Sequence, residues 1–290
     1  MFPILLYNNV MREIIFKIDD KNSGLMIRDF LRNFGVSSAL LTKLKQDENG
    51  IKLNGKFAKA IEVLKSGDNL TINIKNSGKM PEKFECENVK VAYNDEDILV
   101  LNKPPLMPVH ESRNHRGDTL ANVAACYMES DCAFRAVYRL DRDTSGLVLI
   151  AKNELAASKL AGKIKKDYYA VVSGKFEGRG TIDLPIRRVQ ESIIERGVFD
   201  ERAITHYEAI KTDGENTLLK LSLETGRTHQ IRVHFSHLGA PLLGDTLYGG
   251  NCEKINRQAL HCKTIYFTHP ITHEKITVDS DFPKDFKGLI

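Results

Sequence analysis

The stretch whose reading decides the fold is residues 138–152, YRLDRDTSGLVLIAK. Arginine and aspartate alternate through Arg139, Asp141, Arg142 and Asp143; Thr144, Ser145 and Gly146 then turn the chain, and 147–151 is wholly apolar. A short apolar run entered from a turn reads as a strand buried on both faces. If 138–141 closes a preceding strand, the period of two puts Arg139 and Asp141 on one face and Leu140 on the other. Asp141 then sits at the edge of a core, where a carboxylate needs a cationic partner, because an unpaired buried charge is costly and raises its own pKa. A structural ion pair with Arg139 or Arg142 meets that need. So does a reacting carboxylate kept ionised by an arginine from another segment.

A second charged cluster, residues 223–250 (LETGRTHQIRVHFSHLGAPLLGDTLYGG), supplies such an arginine. It reads as a strand, a glycine turn and a helix opening near Thr228, with Ile231, Phe235 and Leu238 turned inward and Gly239 at the helix end. Arg227 lies in the turn just before the helix, where a planar guanidinium reaches a neighbouring loop.

The rest of the 290 residues sets limits on these two clusters. The length suits two domains, and 42% hydrophobic content is enough for a real core. A net charge of +4 permits nucleic-acid binding without demanding it. Five scattered cysteines with no C-x-x-C spacing argue against a disulfide framework or zinc ribbon, and for a reducing cytoplasm. The opening MFPILLYNNV is too short and lacks the basic start of a signal peptide, and Met11 is an alternative start. No run approaches the roughly 20 apolar residues of a membrane span.

Along the chain, 13–18 reads as a strand, 24–35 as an amphipathic helix, and 37–47 as a second helix capped by Ser37 or Ser38. Asn54-Gly55 turns a small hairpin, and Gly67-Asp68 leads into an alternating strand. Residues 12–75 thus form one module. Residues 76–88, rich in Gly, Pro and charge, read as a linker across which few contacts are expected. A larger domain, 89–290, follows, with strands at 89–93, 98–102, 147–151, 168–173, 204–210, 217–223 and 275–278 and helices at 119–128, 154–165 and 229–238. Strands with scattered helices and no regular βαβ alternation predict an α+β domain on a mixed, largely antiparallel sheet.

The first module resembles the αL RNA-binding domain, on the order helix, helix, IKLNGK, LKSGDNL. It departs from that pattern at Met26-Ile27-Arg28 and at SSALL. By the resemblance Arg28, Arg32, Lys43, Lys45, Lys52 and Lys56 are candidate phosphate contacts, although for any single one an ordinary solvated side chain is the preferred reading. The larger domain resembles the RluA-type pseudouridine synthases on four strings in family order: DEDILVLNKPPLMPVH (95–110), RLDRDTSGL (139–147), KKDYYAVVSG (165–174) and LETGRTHQIRVH (223–234). One departure is Tyr138, where relatives often carry histidine.

The likeness implies a pseudouridine synthase fold and an enzyme that flips a uridine out of structured RNA and isomerises it. It implies Asp141 as the catalytic aspartate, Arg227 as its salt-bridge partner, Tyr168 as the active-site tyrosine and Arg139 as the side chain that enters the space left by the flipped base. The spacing to Ala170 and Gly174 selects Tyr168 over Tyr169. Lys103, Arg142 and Arg232 join Arg139 as candidate substrate contacts, with packing an equal alternative for Lys103. No cofactor and no metal are expected: His229, His234 and His237 lack an H-E-x-x-H arrangement, and the acidic stretch at 95–97 reads as a solvated turn. The expected partner is RNA, ribosomal before transfer RNA, and the expected form a cytoplasmic monomer. The rival is a non-catalytic RNA-binding or assembly protein of the same fold, which would not require Asp141, Tyr168 and Arg227 together.

Overall fold

Apolar alternation produces strand β1 (Met11–Lys17), which buries Ile14 and exposes Ile15. Helix α1 (Ile27–Phe34) buries Ile27 and Leu31 and stops at Gly35, whose φ of 107° a side chain would resist. Helix α2 (Ser38–Gln46) begins where the Ser37 hydroxyl accepts the Leu40 N–H at 3.2 Å, so Ser37 is its cap. Strands β2 (Ile51–Leu53) and β3 (Lys56–Phe57) turn about Asn54-Gly55, and β4 (Asn69–Lys75) completes an antiparallel sheet in the order β1-β4-β2-β3. Ile14, Ile51, Leu70 and Ile72 on one sheet face pack against Leu31, Leu41 and Leu44 of the helices. These elements belong to a computed structural model that describes residues 11–75, 78–113, 115–128, 132–189, 195–198 and 200–289. The two candidate starts differ by the first ten residues, which lie outside the described ones, as do 76 and 77 of the expected linker.

The second core is built on nine strands. Its elements are β5 (Lys90–Asn94), β6 (Ile98–Lys103), α3 (Leu120–Ala124), β7 (Ser145–Ala151), α4 (Glu154–Leu160), β8 (Lys165–Ser173), β9 (Arg179–Asp183), β10 (Ile186–Arg188), β11 (Arg196–Val198), β12 (Ile204–Thr212), β13 (Asn216–Leu223), α5 (Gln230–His237), β14 (Leu260–Thr268) and β15 (Lys275–Asp279). The sheet runs β5-β6-β7-β14-β8-β13-β12-β9, with β15 on β14; β10 and β11 form a separate ribbon. Of its pairings only β7 with β14 is parallel, so the α+β expectation of a mixed, largely antiparallel sheet holds. Every residue of β7 is buried, as its apolar run requires. Gly146 enters β7 at φ 120°, and a Cβ there would stand 2.2 Å from the Cys262 carbonyl oxygen of β14. Only glycine lets the two backbones approach. Among the described residues no helix is long and apolar enough to cross a membrane.

Three expectations are corrected. Residues 138–141 are not the end of a strand but a loop, with only an isolated bridge at Ala136–Ile150 before it. The helix expected over 154–165 ends at Leu160, because Gly162 takes a left-handed φ of 70° and turns the chain into β8 at Lys165. The linker, where described, lies against the large domain: Asn122 Nδ2 donates to the Glu82 carbonyl at 2.9 Å, and Phe84 N–H to the Asn122 carbonyl at 3.1 Å.

Contacts between the two cores are also more numerous than expected. Leu155 of α4 is fully buried in the first module's core, and Ile271 packs against it. The Arg12 guanidinium donates from Nε and Nη2 to both oxygens of Asp97 at 3.0 and 2.9 Å, and Asn153 adds a third bond at 2.7 Å. Asp97 is 2% exposed, so within the turn at 95–97 this one carboxylate belongs to a buried joint, while Glu96 stays exposed. Lys159 Nζ stands 3.6 Å from the centre of the Phe34 ring. Arg12→Met would leave the Asp97 carboxylate buried without its cation, and the cost expected from a partly solvated pair is about 2–3 kcal/mol. The denaturant midpoint should fall accordingly, and a double variant with Asp97→Asn should be more stable than the sum of the two single losses implies.

Candidate active site

Lys103 ends β6 and is 1% exposed. Its ammonium donates to the carbonyls of Pro104 at 2.9 Å, Met107 at 2.8 Å and Arg142 at 2.8 Å. Three donors meet three acceptors, which satisfies an ammonium withdrawn from water. Burial draws its pKa down to about 7, against the opposing pull of Asp143 and Asp141. Lys103 is therefore not a substrate contact, because it has no donor left to offer. It clamps the loop that carries Asp141.

A second buried cation holds the other side of that loop. Arg257 pairs with Asp285 through two bonds of 2.7 and 2.9 Å and donates Nη1 to the Asp143 carbonyl at 3.2 Å. Inside the loop, Thr144 N–H donates to the Asp141 carbonyl at 3.2 Å, Leu140 is buried, and the Tyr138 hydroxyl donates to the Leu147 carbonyl at 2.9 Å. Asp141 is left half-buried at the apex.

The salt-bridge partner of Asp141 is Arg232, not Arg227. Arg232 Nη1 lies 3.3 Å from Asp141 Oδ2, while Nε and Nη2 bind Asp245 at 2.7 and 2.8 Å and the guanidinium stacks 4.9 Å from the Tyr248 ring centre. Arg232 is buried, so its expected role as a substrate contact is corrected as well. Helix geometry accounts for the exchange. Arg232 lies inside α5 with its side chain directed at the Asp141 loop, whereas Arg227 precedes the helix and turns outward, binding Glu201 at 2.8 Å and the Arg202 carbonyl at 3.1 Å.

Gln230 secures the intervening turn. Its Oε1 accepts the Arg227 N–H at 3.0 Å and the Thr225 hydroxyl at 2.9 Å, and its Nε2 donates to the Ile204 carbonyl at 2.9 Å. His234 is satisfied in the interior, between the Thr205 hydroxyl and the Leu184 carbonyl, each at 2.9 Å. The TGRTHQIRVH string is thus largely a scaffold for one arginine.

Tyr168 of β8 lines the same cleft, while Tyr169 packs on the opposite face against Phe282 at 5.1 Å. Burial, with the Cys262 thiol beside it and the Asp141 charge near, pushes the Tyr168 hydroxyl well above its usual pKa. At neutral pH it is a phenol and not a base.

The cleft has a volume of about 1360 Å³. Its walls are the Asp141 loop, the start of β8, and the turn between β13 and α5, and Arg139, Arg142, Lys163, Lys165, Lys166 and Arg227 line it. Arg142 is exposed and spent on Asp143 at 2.6 and 3.0 Å; Arg139 is exposed with no carboxylate pairing it among the described residues. In the first module Arg32, Lys45 and Lys56 are exposed, Lys52 is half-buried, and Arg28 stands 3.5 Å from Asp29. Lys43 instead reaches across to Glu154 at 2.5 Å, so it serves the joint between the cores.

Asp95, Asp97 and His269 form the one group of metal-ligand type among the described residues. Their atoms are already engaged. Asp95 accepts from the Tyr93 hydroxyl, from His269 and from two backbone N–H groups, and Asp97 is held by Arg12 and Asn153. Sequence reasoning missed Arg257, Asp245, His229 and Tyr248 as parts of the site. Asp245 and Tyr248 stood in the quoted GDTLYGG, but nothing local marks a residue whose partner lies on another element.

A family model described as RNA pseudouridylate synthase matches residues 97–237. The chain is 39% identical to an uncharacterised RNA pseudouridine synthase of Bacillus subtilis, YjbO, over 92% of this chain and 98% of that protein. It is 33% identical to the ribosomal large subunit pseudouridine synthase D of Pseudomonas aeruginosa, over 83% of this chain and 82% of that one. Among solved structures, human RNA pseudouridylate synthase domain containing 1 superposes with a TM-score of 0.56 at 26% identity, covering 70% of this chain and 86% of that one.

If Lys103 clamps the loop, Lys103→Met should leave three carbonyls without donors. The expected destabilisation is about 2–4 kcal/mol, read from denaturant unfolding. Backbone amide exchange should quicken at 141–144 more than in the distant first module.

Proposed function

Since the chain belongs to the RNA pseudouridine synthase family, we propose that it isomerises uridines of ribosomal RNA with Asp141 as the reacting carboxylate. The observation that carries this is the placement of Asp141. It stands in a cleft large enough for a flipped nucleotide, with Oδ2 held by Arg232 and Oδ1 without a partner among the described residues. Uridine and pseudouridine are isomers, so the reaction adds no atoms and changes no net oxidation state. The N-glycosidic bond breaks, the uracil turns, and a carbon–carbon bond forms in its place. Asp141 Oδ1 is the nucleophile or base that starts this sequence. Arg232 pairs with the carboxylate at Oδ2 and is itself held by Asp245, so the guanidinium does not follow the substrate out of the site.

Tyr168 gives the detached ring an aromatic wall, and its neutral phenol relays the proton that C5 loses, releasing its own hydroxyl proton to water as it takes that one up. Arg139, exposed at the mouth, fills the space the base leaves. Arg227, Lys163 and Lys165 meet phosphates along the cleft. The first module adds a basic surface formed by Arg28, Arg32, Lys45, Lys52 and Lys56 and acts as the RNA-binding unit. Support for ribosomal RNA comes from the similarity to relatives named as ribosomal large subunit pseudouridine synthase D.

Asp141→Asn should fold and bind RNA yet lose turnover by on the order of 10³-fold or more. The product has the mass of uridine, so the measurement is tritium release from uridine labelled at C5, with carbodiimide mapping of RNA from cells with and without the gene. Near-normal turnover in Asp141→Asn would reject the assignment. Loss of transfer-RNA sites alone would reject the ribosomal target, and no lost site anywhere would point to a non-catalytic binder.

The two arginines should separate. Arg232→Lys keeps a charge but loses the fork that joins Asp141 to Asp245, and turnover should fall by about tenfold to a hundredfold with RNA affinity nearly unchanged. Arg227→Lys should act mainly on affinity, and its effect should fade as salt is raised.

A further inference from the structure

Asp141 is approached from one side by a second group that the proposed reaction has not used. His229 Nε2 lies 3.8 Å from Asp141 Oδ2, the oxygen that Arg232 also holds. The His229 backbone has a φ of 58°, a left-handed angle uncommon outside glycine, at the residue that opens α5. The ring is anchored from behind. His229 Nδ1 is 2.9 Å from Tyr248 Oη, and the two rings meet edge to face at 5.7 Å. Tyr248 Oη also accepts the Arg196 backbone N–H at 3.0 Å. With Oη accepting there, its own proton can point at Nδ1; in that arrangement Nδ1 is the acceptor and the neutral ring carries its hydrogen on Nε2, on the side of Asp141. Burial lowers the His229 pKa, helped by Arg232 and Arg196 and opposed by Asp141 and Asp245, so the ring is neutral at neutral pH.

We infer that His229 is a positioning residue for the reacting carboxylate: a neutral Nε2–H donor, its tautomer set by Tyr248, which with Arg232 occupies Oδ2 and leaves Oδ1 for the uridine. This rests on the reading of Asp141 as the reacting group. The 3.8 Å separation exceeds a hydrogen bond, and a shift of about 1 Å with substrate in the cleft would make one; contacts of this kind are commonly long before substrate binds. A histidinium in this place would add a second cation to Oδ2 and weaken the carboxylate as a nucleophile, whereas a neutral donor orients it.

The test has two arms on the full chain. In the first, histidine-labelled protein is titrated by nitrogen-15 imidazole spectroscopy, with His229 assigned by its loss in His229→Gln. The expected result is an Nε2–H tautomer at pH 7 and a titration midpoint below 6.5. The midpoint should move lower still in Asp141→Asn, because that change removes a charge favouring the protonated ring. Tyr248→Phe should mix the tautomers.

In the second arm, single-turnover tritium release is followed on RNA labelled in cells lacking the gene. His229→Ala should slow the step by about tenfold or more, equivalent to about 1.4 kcal/mol, with RNA affinity little changed, and His229→Gln should restore most of it through its amide N–H. A midpoint indifferent to Asp141→Asn, equal losses in His229→Ala and His229→Gln, or a loss confined to RNA affinity or melting temperature would overturn the inference. Wild-type turnover by Asp141→Asn would instead bring down the reading of the site and the role of His229 with it. Failure of the histidine alone leaves Asp141 essential.

Discussion

Where β6 ends, a single ammonium joins three carbonyls from two loops, and the position of Asp141 depends on that junction. Lys103 Nζ binds Pro104 and Met107 in its own loop and Arg142 in the loop that follows Asp141. Without it, the charged turn would be a flexible entry to β7. With it, and with Arg257 gripping the Asp143 carbonyl on the far side, the backbone on either side of the carboxylate is fixed to the sheet. Burying a lysine is expensive, and here full hydrogen bonding of the ammonium offsets the desolvation. The result is a carboxylate with little freedom at its root, held in a broad open cleft.

The charge of Asp141 is managed by the same economy of partners. Arg232 uses two of its donors on Asp245, 1% exposed, and turns the third to Asp141. Asp245 keeps the guanidinium from pairing fully with Asp141, so the carboxylate meets a single donor and not a closed fork. The outward turn of Arg227 then makes chemical sense. One arginine faces the carboxylate from the buried side, and the other faces the solvent. Both descend from one turn and helix, and Gln230 ties the turn between them to β12 through the Ile204 carbonyl.

The two cores meet at a joint that composition did not announce. Arg12, Asp97 and Asn153 form a buried polar contact beside Leu155, which lies in the first module's core although it comes from the second. The expectation of a loosely tethered module rested on the composition of 76–88, and composition reports neither what a segment packs on nor what lies beyond it. Lys43 shows the same limit. As an isolated helix lysine it reads as a phosphate contact, but Glu154 lies across the joint to receive it.

Much of the architecture was legible in local pattern. The apolar run in β7, the alternation in β1 and β4, the Asn54-Gly55 turn and the Ser37 cap are consequences of side-chain period and backbone preference over a few residues, so they survive reading one segment at a time. Asp141 and Tyr168 were reached through the family resemblance of their strings; local pattern alone showed only a charged turn set against a buried run and two adjacent tyrosines on opposite faces of a strand. The end of α4 at Leu160 and the irregular course of 138–141 were not legible, since glycine conformation and loop anchoring are decided by what packs around them. The partner of Asp141 lay further from reach. Arg227 and Arg232 are five residues apart in one motif, both planar cations of equal charge, and no local rule separates them. Only the docking of α5 against the Asp141 loop, with Asp245 waiting on the next turn, directs one inward and the other out. By itself the sequence determined which segments carry the site; the tertiary structure decided which further groups join it and which cation meets which carboxylate, because the geometry of an ion pair is set by elements distant in the chain.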